Sequence, residues 1–113
     1  MNDRLFIGCR IMPRLKVMDA LTGENIAVLP CVKDADDVFY DYADSLVFIS
    51  GGEGFIDIFK EIQKNNFVLI NHIPTANGAR TSLWLPGEKE LLLAVPEQDG
   101  EQAALWVYNL TLN

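Results

Sequence analysis

Residues 47–59 read VFISGGEGFIDIF, two apolar runs joined by Gly51-Gly52-Glu53-Gly54. Three glycines in four positions raise a choice between a phosphate-cradling loop and a tight turn. A phosphate loop leads from a strand into a helix whose amide dipole faces the anion, inside a strand–helix–strand unit. Phe55, Ile58, Phe59 and Ile62 do fall at the i, i+3, i+4, i+7 spacing of a helix face. Against a helix stand the glycines directly before the run and its β-favouring Phe-Ile-Asp-Ile-Phe core. The stretch is therefore read as strand, turn, strand, with the glycines supplying positive φ for a hairpin and room for a neighbouring sheet.

The same grammar runs along the whole chain. Short apolar runs cover Leu5 to Gly8, Leu15 to Asp19, Asn25 to Leu29, Asp37 to Asp41, Leu46 to Ser50, Phe55 to Phe59, Phe67 to Ile73, Ser82 to Pro86, Leu91 to Val95 and Ala104 to Leu110. Between them lie turn residues such as Leu21-Thr22-Gly23-Glu24, Lys64-Asn65-Asn66, Pro86-Gly87-Glu88 and Asp99-Gly100. Ten strands at short, regular spacing predict an all-β fold of antiparallel hairpins.

Landmarks recur in order. Leu5-Phe6-Ile7, Leu46-Val47-Phe48 and Leu91-Leu92-Leu93 stand 41 and then 45 positions apart, and Pro30 and Pro74 each close a strand at a spacing of 44. Asp37 to Asp41 corresponds to Ser82 to Pro86, and Lys16 to Asp19 corresponds to Ile56 to Phe59 and to Leu105 to Tyr108. A period of about 40 to 50 residues carrying four strands is the sequence form of one propeller blade. Stacking such sheets radially covers both faces of each and leaves only short edges.

PRLKVMDALTGENIAVLP, residues 13–30, resembles the strand, Asp-x-x-Thr-Gly turn and strand unit of the YVTN or YncE-like bacterial β-propellers. DADDVFYDYADSLVFISGGEGFIDIF, residues 34–59, is similar to one bacterial branch of them, and the similarity continues through IPTANGARTSLWLPGEKELLLAVP, residues 73–96. The resemblance implies the fold. It also implies a binding or scaffold role, since most members are treated so, while related propellers include lactonases and quinone-cofactor enzymes. Fold does not carry activity. A complete propeller needs about 300 residues, and this sequence has 113. With strands labelled a to d from the channel outward, the single domain holds one complete blade flanked by two incomplete ones: residues 5–29 supply b, c and d, residues 37–73 all four, and residues 82–110 a, b and c.

Composition narrows the partners. Half the residues are hydrophobic, enough for one core. Nine basic against sixteen acidic residues give a net charge of −7 with no run of Lys or Arg, which excludes nucleic acid and anionic membrane as partners. No apolar stretch approaches the roughly 20 residues of a membrane helix. With no export signal visible, the expected location is cytoplasmic, or extracytoplasmic if the segment belongs to an exported propeller. Cys9 and Cys31 could form one bridge, but they sit in no metal-ligand spacing and His72 is the only histidine, so two buried, inert thiols are the favoured expectation, with no metal and no cofactor.

Propeller geometry places residues 9–14, 31–36, 51–54, 75–81 and 96–103 on one loop face. The candidate ligand groups there are Asp34, Asp36, Asp37, Glu53, Asn77 and Arg80. Two readings compete: a mixed-charge ligand site at the channel mouth, and an Arg–Asp pair with aspartates accepting backbone hydrogen bonds that set the packing of adjacent blades. The second suffices without a ligand. Catalytic residues are not expected: His72 lacks a nucleophile motif, and Trp84 and Trp106 fit packing between sheets. The functional expectation is a non-catalytic binding or scaffold module holding a small molecule or protein on its loop face. The alternative is a remnant or subunit of a propeller hydrolase or oxidoreductase with a ligand or metal site at the channel mouth. Open strand edges and uncovered apolar faces are costly, so a homo-oligomer is expected, a dimer closing a ring of six blades being favoured.

Overall fold

A computed structural model describes residues 3–110. Ten strands occur in chain order: β1 (Arg4–Cys9), β2 (Arg14–Asp19), β3 (Asn25–Pro30), β4 (Ala35–Asp41), β5 (Leu46–Gly51), β6 (Phe55–Gln63), β7 (Asn66–Pro74), β8 (Ser82–Leu85), β9 (Glu90–Val95) and β10 (Ala104–Asn109). The fold is all-β, and every pairing is antiparallel. No helix among the described residues is long and apolar enough to cross a membrane. The run from Phe55 to Gln63 is strand throughout, and Ile62, the last member of its helix-like stripe, is exposed.

The strands form three meanders: sheet I with order β1-β2-β3, sheet II with order β4-β5-β6-β7, and sheet III with order β8-β9-β10. Sheet II lies between the others because both of its faces are apolar. On one face Val47, Ile49 and Phe59 pack with Leu15 and Val17 of sheet I; on the other, Leu46, Phe48, Ile56 and Ile58 pack with Trp84, Leu91 and Leu93 of sheet III. Strand β5 is buried from end to end as a result. That explains the run LVFIS, which lacks the alternation of a strand with one wet face.

The two cores are built from equivalent positions. Ala35 and Ala79, both buried, lie 44 positions apart, one in each core, as do Val47 and Leu91, and Ile49 and Leu93. Pro30 and Pro74 keep this spacing. A match of Leu46 with Leu91, at 45, pairs a residue facing sheet III with one facing sheet II, and slippage by one residue turns every side chain to the opposite face. The structural repeat is therefore 44 for β5 and β9. Between sheets I and II the corresponding pair is Phe6 and Phe48, at 42, because Phe6 packs in the core whereas Leu5 is exposed.

Among the described residues, sheets I and III each leave one apolar face uncovered. On sheet III it carries Leu83, Leu105 and Val107, between 50% and 60% exposed; on sheet I it carries Leu5, Ile7 and Val28. The molecule is a slab of 48 × 34 × 20 Å.

Candidate functional site

The five loops predicted to share a face are joined in sequence by hydrogen bonds. Cys31 N donates to the Pro13 carbonyl at 3.3 Å, Gly52 N to the Asp34 carbonyl at 2.9 Å, Gly78 N to the Gly52 carbonyl at 2.7 Å, and the Gln98 side-chain amide to the Asn77 carbonyl at 2.9 Å. The glycine turn has its reason here. A Cβ on Gly51 would stand 2.5 Å from the Lys33 carbonyl oxygen, one on Gly52 would collide with the Asp34 carboxylate, and Gly54 has φ +103°. Close approach of the preceding connection and a left-handed backbone both demand glycine. The turn joins two strands, so the helix dipole of a phosphate loop is missing.

Asp34 is the hub. It adopts φ 56°, and its carboxylate accepts hydrogen bonds from Arg80 Nη1 at 3.0 Å and from the Arg10 guanidinium. The Arg10 hydrogen bond, with help from Arg80, holds the Asp34 carboxyl below the usual carboxylate range. Arg10 was not among the sequence candidates; it is one of two cations, with Arg14, in the loop over residues 9–14.

The other acidic candidates, Asp36, Asp37 and Glu53, are brought to the same face, each already engaged. Glu53 Oε1 accepts from Lys33 N at 3.0 Å, Asp37 Oδ2 from Ser82 N at 2.8 Å, and Asp36 Oδ2 from the Thr81 hydroxyl at 3.3 Å. Ser50, 1% exposed, donates to the Arg80 carbonyl at 2.6 Å and lies 2.7 Å from the Ser82 hydroxyl. The bonds of Ser50, Asp36 and Asp37 cross from sheet II to the segment that starts sheet III, while Glu53 ties its turn to the connection arriving from sheet I, so these groups hold one sheet to the next.

A recess of about 460 Å³ remains open between the last two loops. Its walls include Asn77, Gln98, Glu101, Gln102 and Trp106. The loop is held by reciprocal backbone bonds between Gln98 and Glu101 across Asp99 and Gly100, both at positive φ. Trp106 is 39% exposed. Packing between sheets thus accounts for buried Trp84, which lies against Phe48 with ring centroids 4.5 Å apart, and only partly for Trp106. An indole beside carboxamides and a carboxylate can take a polar molecule with a flat apolar face.

Compared with protein-family models and with curated proteins, the sequence matches none.

On sheet II, His72 Nδ1 contacts the buried Asp57 carboxylate, and its ring stacks on Phe55 with centroids 3.9 Å apart. Among the described residues no serine, threonine or cysteine side chain hydrogen-bonds to His72. Cys9 and Cys31 are free and half-buried rather than fully buried. Burial pushes the Cys31 thiol up to about 12, far from the thiolate a nucleophile requires. No group of three or more His, Cys, Asp or Glu among the described residues is placed to hold a metal ion.

Proposed function

We propose that the chain is a non-catalytic binding or scaffold module of β-propeller type, with its sheets arranged as blades and its open faces used for association. The observation that carries this reading is the equivalence of the two internal interfaces: Val47, Ile49 and Ala35 do between sheets I and II what Leu91, Leu93 and Ala79 do between sheets II and III. A unit that stacks twice in one register is a repeat, and repeats are stabilised by their neighbours. The meander order of each sheet, and the loop face tied across every junction, support the same reading. A non-catalytic role is supported by the engagement of Asp34, Asp36, Asp37 and Glu53 in junction bonds, and the recess at Asn77 and Trp106 offers a contact surface for a small molecule or protein.

Light scattering on size-exclusion fractions over a wide concentration range tests the reading. Association that grows with concentration is expected. A monomer mass throughout would remove the use of the open faces.

A further inference from the structure

Sheet III's free face carries Leu83, Leu92, Ala94, Leu105 and Val107: in strand register these face away from the core residues Trp84, Leu91 and Leu93. By the 44-residue repeat, Leu83, Leu92 and Ala94 correspond to Phe39, Phe48 and Ser50, and pairing across the sheet matches Leu105 and Val107 to Ile56 and Ile58. That set is the face with which sheet II covers sheet III. Sheet I's free face is its counterpart: Leu5 and Ile7 correspond to Val47 and Ile49, with which sheet II receives sheet I. One molecule thus carries, unpaired, the two halves of an interface that it builds twice internally.

Resting on the propeller-type reading, we infer that the free face of sheet III docks on the free face of sheet I of a second copy, head to tail, and that the reciprocal contact closes a ring of two chains. Leu92 and Val107 would then meet Leu5 and Ile7 of the second copy, as Phe48 and Ile58 meet Leu91 and Leu93 within the chain. Charge agrees with this polarity. Glu90, two positions before Leu92 on β9, shares sheet III's free face, whereas sheet I's carries Lys16, in register with Ile7 and Val28. Pairing sheet I with sheet I instead brings Lys16 toward its own copy, and like charges facing each other oppose that arrangement.

Area favours closure over a single contact. The three six-residue strands of sheet I present a face of roughly 20 by 14 Å, and sheet III, with β8 only four residues long, presents no more, which is small for a lasting interface. In a closed ring the face is used twice, and the second contact forms within an already joined pair, at high effective concentration. A head-to-tail contact that failed to close would propagate into open chains.

The test uses two variants of the full chain, each altered at an exposed position. Val107→Lys blocks the sheet III face, setting a cation against Lys16 of the other copy, and Val28→Lys blocks the sheet I face. Circular dichroism and thermal melting establish that both fold. In light scattering the wild-type mass is expected to level off at two chains. Each variant alone is expected to form neither ring nor stable dimer, and an equal mixture to form a dimer through the one intact pair of faces, with at least about tenfold weaker affinity than wild type.

If wild type associates but either variant alone dimerises as strongly, the contact is face to like face and the inference fails while the association reading stands. Mass that keeps rising with concentration overturns ring closure. A monomeric wild type overturns the association reading and this inference together.

Discussion

The Glu61 carboxylate on β6 accepts both terminal nitrogens of the Arg4 guanidinium on β1, at 2.7 and 3.1 Å, although 57 positions separate the two residues. Glu61 also accepts from the Tyr40 hydroxyl at 2.8 Å and from Asn65 N at 2.7 Å. Arg4 lies within 5.8 Å of the ring centroids of Phe6, Tyr40 and Phe67. Both side chains are less than a tenth exposed. A fork-shaped donor, a fully used carboxylate and three aromatic rings make this the polar bolt between sheets I and II.

This bolt sets a pH dependence. The Arg4 hydrogen bonds, with those from Asn65 and Tyr40, lower the Glu61 carboxyl from 4.5 to about 2. A carboxyl depressed in the folded state adds stability that is fully present above pH 4.5 and is lost as pH falls through the folded value near 2. The loss should amount to about 3 kcal/mol across that window. Glu61→Gln should flatten the acid side of a stability–pH profile measured by urea unfolding. At neutral pH it should cost about 2–4 kcal/mol, by leaving Arg4 buried beside a neutral group.

Gly51 is specified by space rather than by φ. A methyl there would meet the Lys33 carbonyl oxygen at 2.5 Å and the Val32 methyls at 2.7 and 2.8 Å. Val32 is 1% exposed and the oxygen belongs to the backbone, so neither can give way freely. Gly51→Ala should destabilise by about 1–3 kcal/mol in chemical denaturation. Gly87→Ala, at a position with open space around it, serves as the control and should be nearly neutral.

Ser50 tests whether the loop-face network holds sheet to sheet. Its hydroxyl donates to the Arg80 carbonyl at 2.6 Å within a nearly dry junction. Ser50→Ala removes the donor and leaves that carbonyl short of a partner, so unfolding should cost about 1–3 kcal/mol less than in wild type. Hydrogen exchange should quicken first at Ser82 N, held by Asp37 at 2.8 Å across the same junction.

Much of this was legible in the sequence because strand pattern is local. All ten strands lie where β-branched and aromatic runs bounded by turn residues place them, and the helix-like spacing of Phe55, Ile58, Phe59 and Ile62 lost to β-propensity and a glycine turn. Repeat register was less legible. The run Leu91-Leu92-Leu93 matches Leu46-Val47-Phe48 equally well at 44 or 45, since each is apolar at consecutive positions; only the knowledge of which side chains share a core decides. At the loop face Asp34 and Arg80 were visible as charges, but the second cation on Asp34, Arg10, comes from a distant connection. Ser50 carries no sequence signal beyond being a small polar residue at the end of an apolar strand.

Cys31 should be slow to react. Burial raises its thiol to about 12, so the thiolate fraction at pH 8 is on the order of 10⁻⁴. A maleimide added to the native protein at that pH should leave Cys31 unmodified for far longer than the same reagent does in urea, as read by mass spectrometry of the digested protein. Equal rates in both conditions would contradict the packing of Cys31 against the core of sheets I and II.

Asp34 combines two demands that substitutions can separate. Its φ of 56° is a conformation that asparagine tolerates better than alanine does, while its carboxylate pairs with Arg10 and Arg80 at a partly exposed site. Asp34→Asn keeps the backbone preference and loses the charge. The fall in melting temperature should therefore be small and should shrink as salt is added, because solvent-exposed pairs are screened in wild type as well. Asp34→Ala loses both, and its fall in melting temperature should be larger and persist at high salt, since backbone strain has no ionic component. Melting curves of the three proteins at low and high sodium chloride check both statements. If the two variants behave identically at every salt concentration, the left-handed backbone at residue 34 is not what selects its side chain.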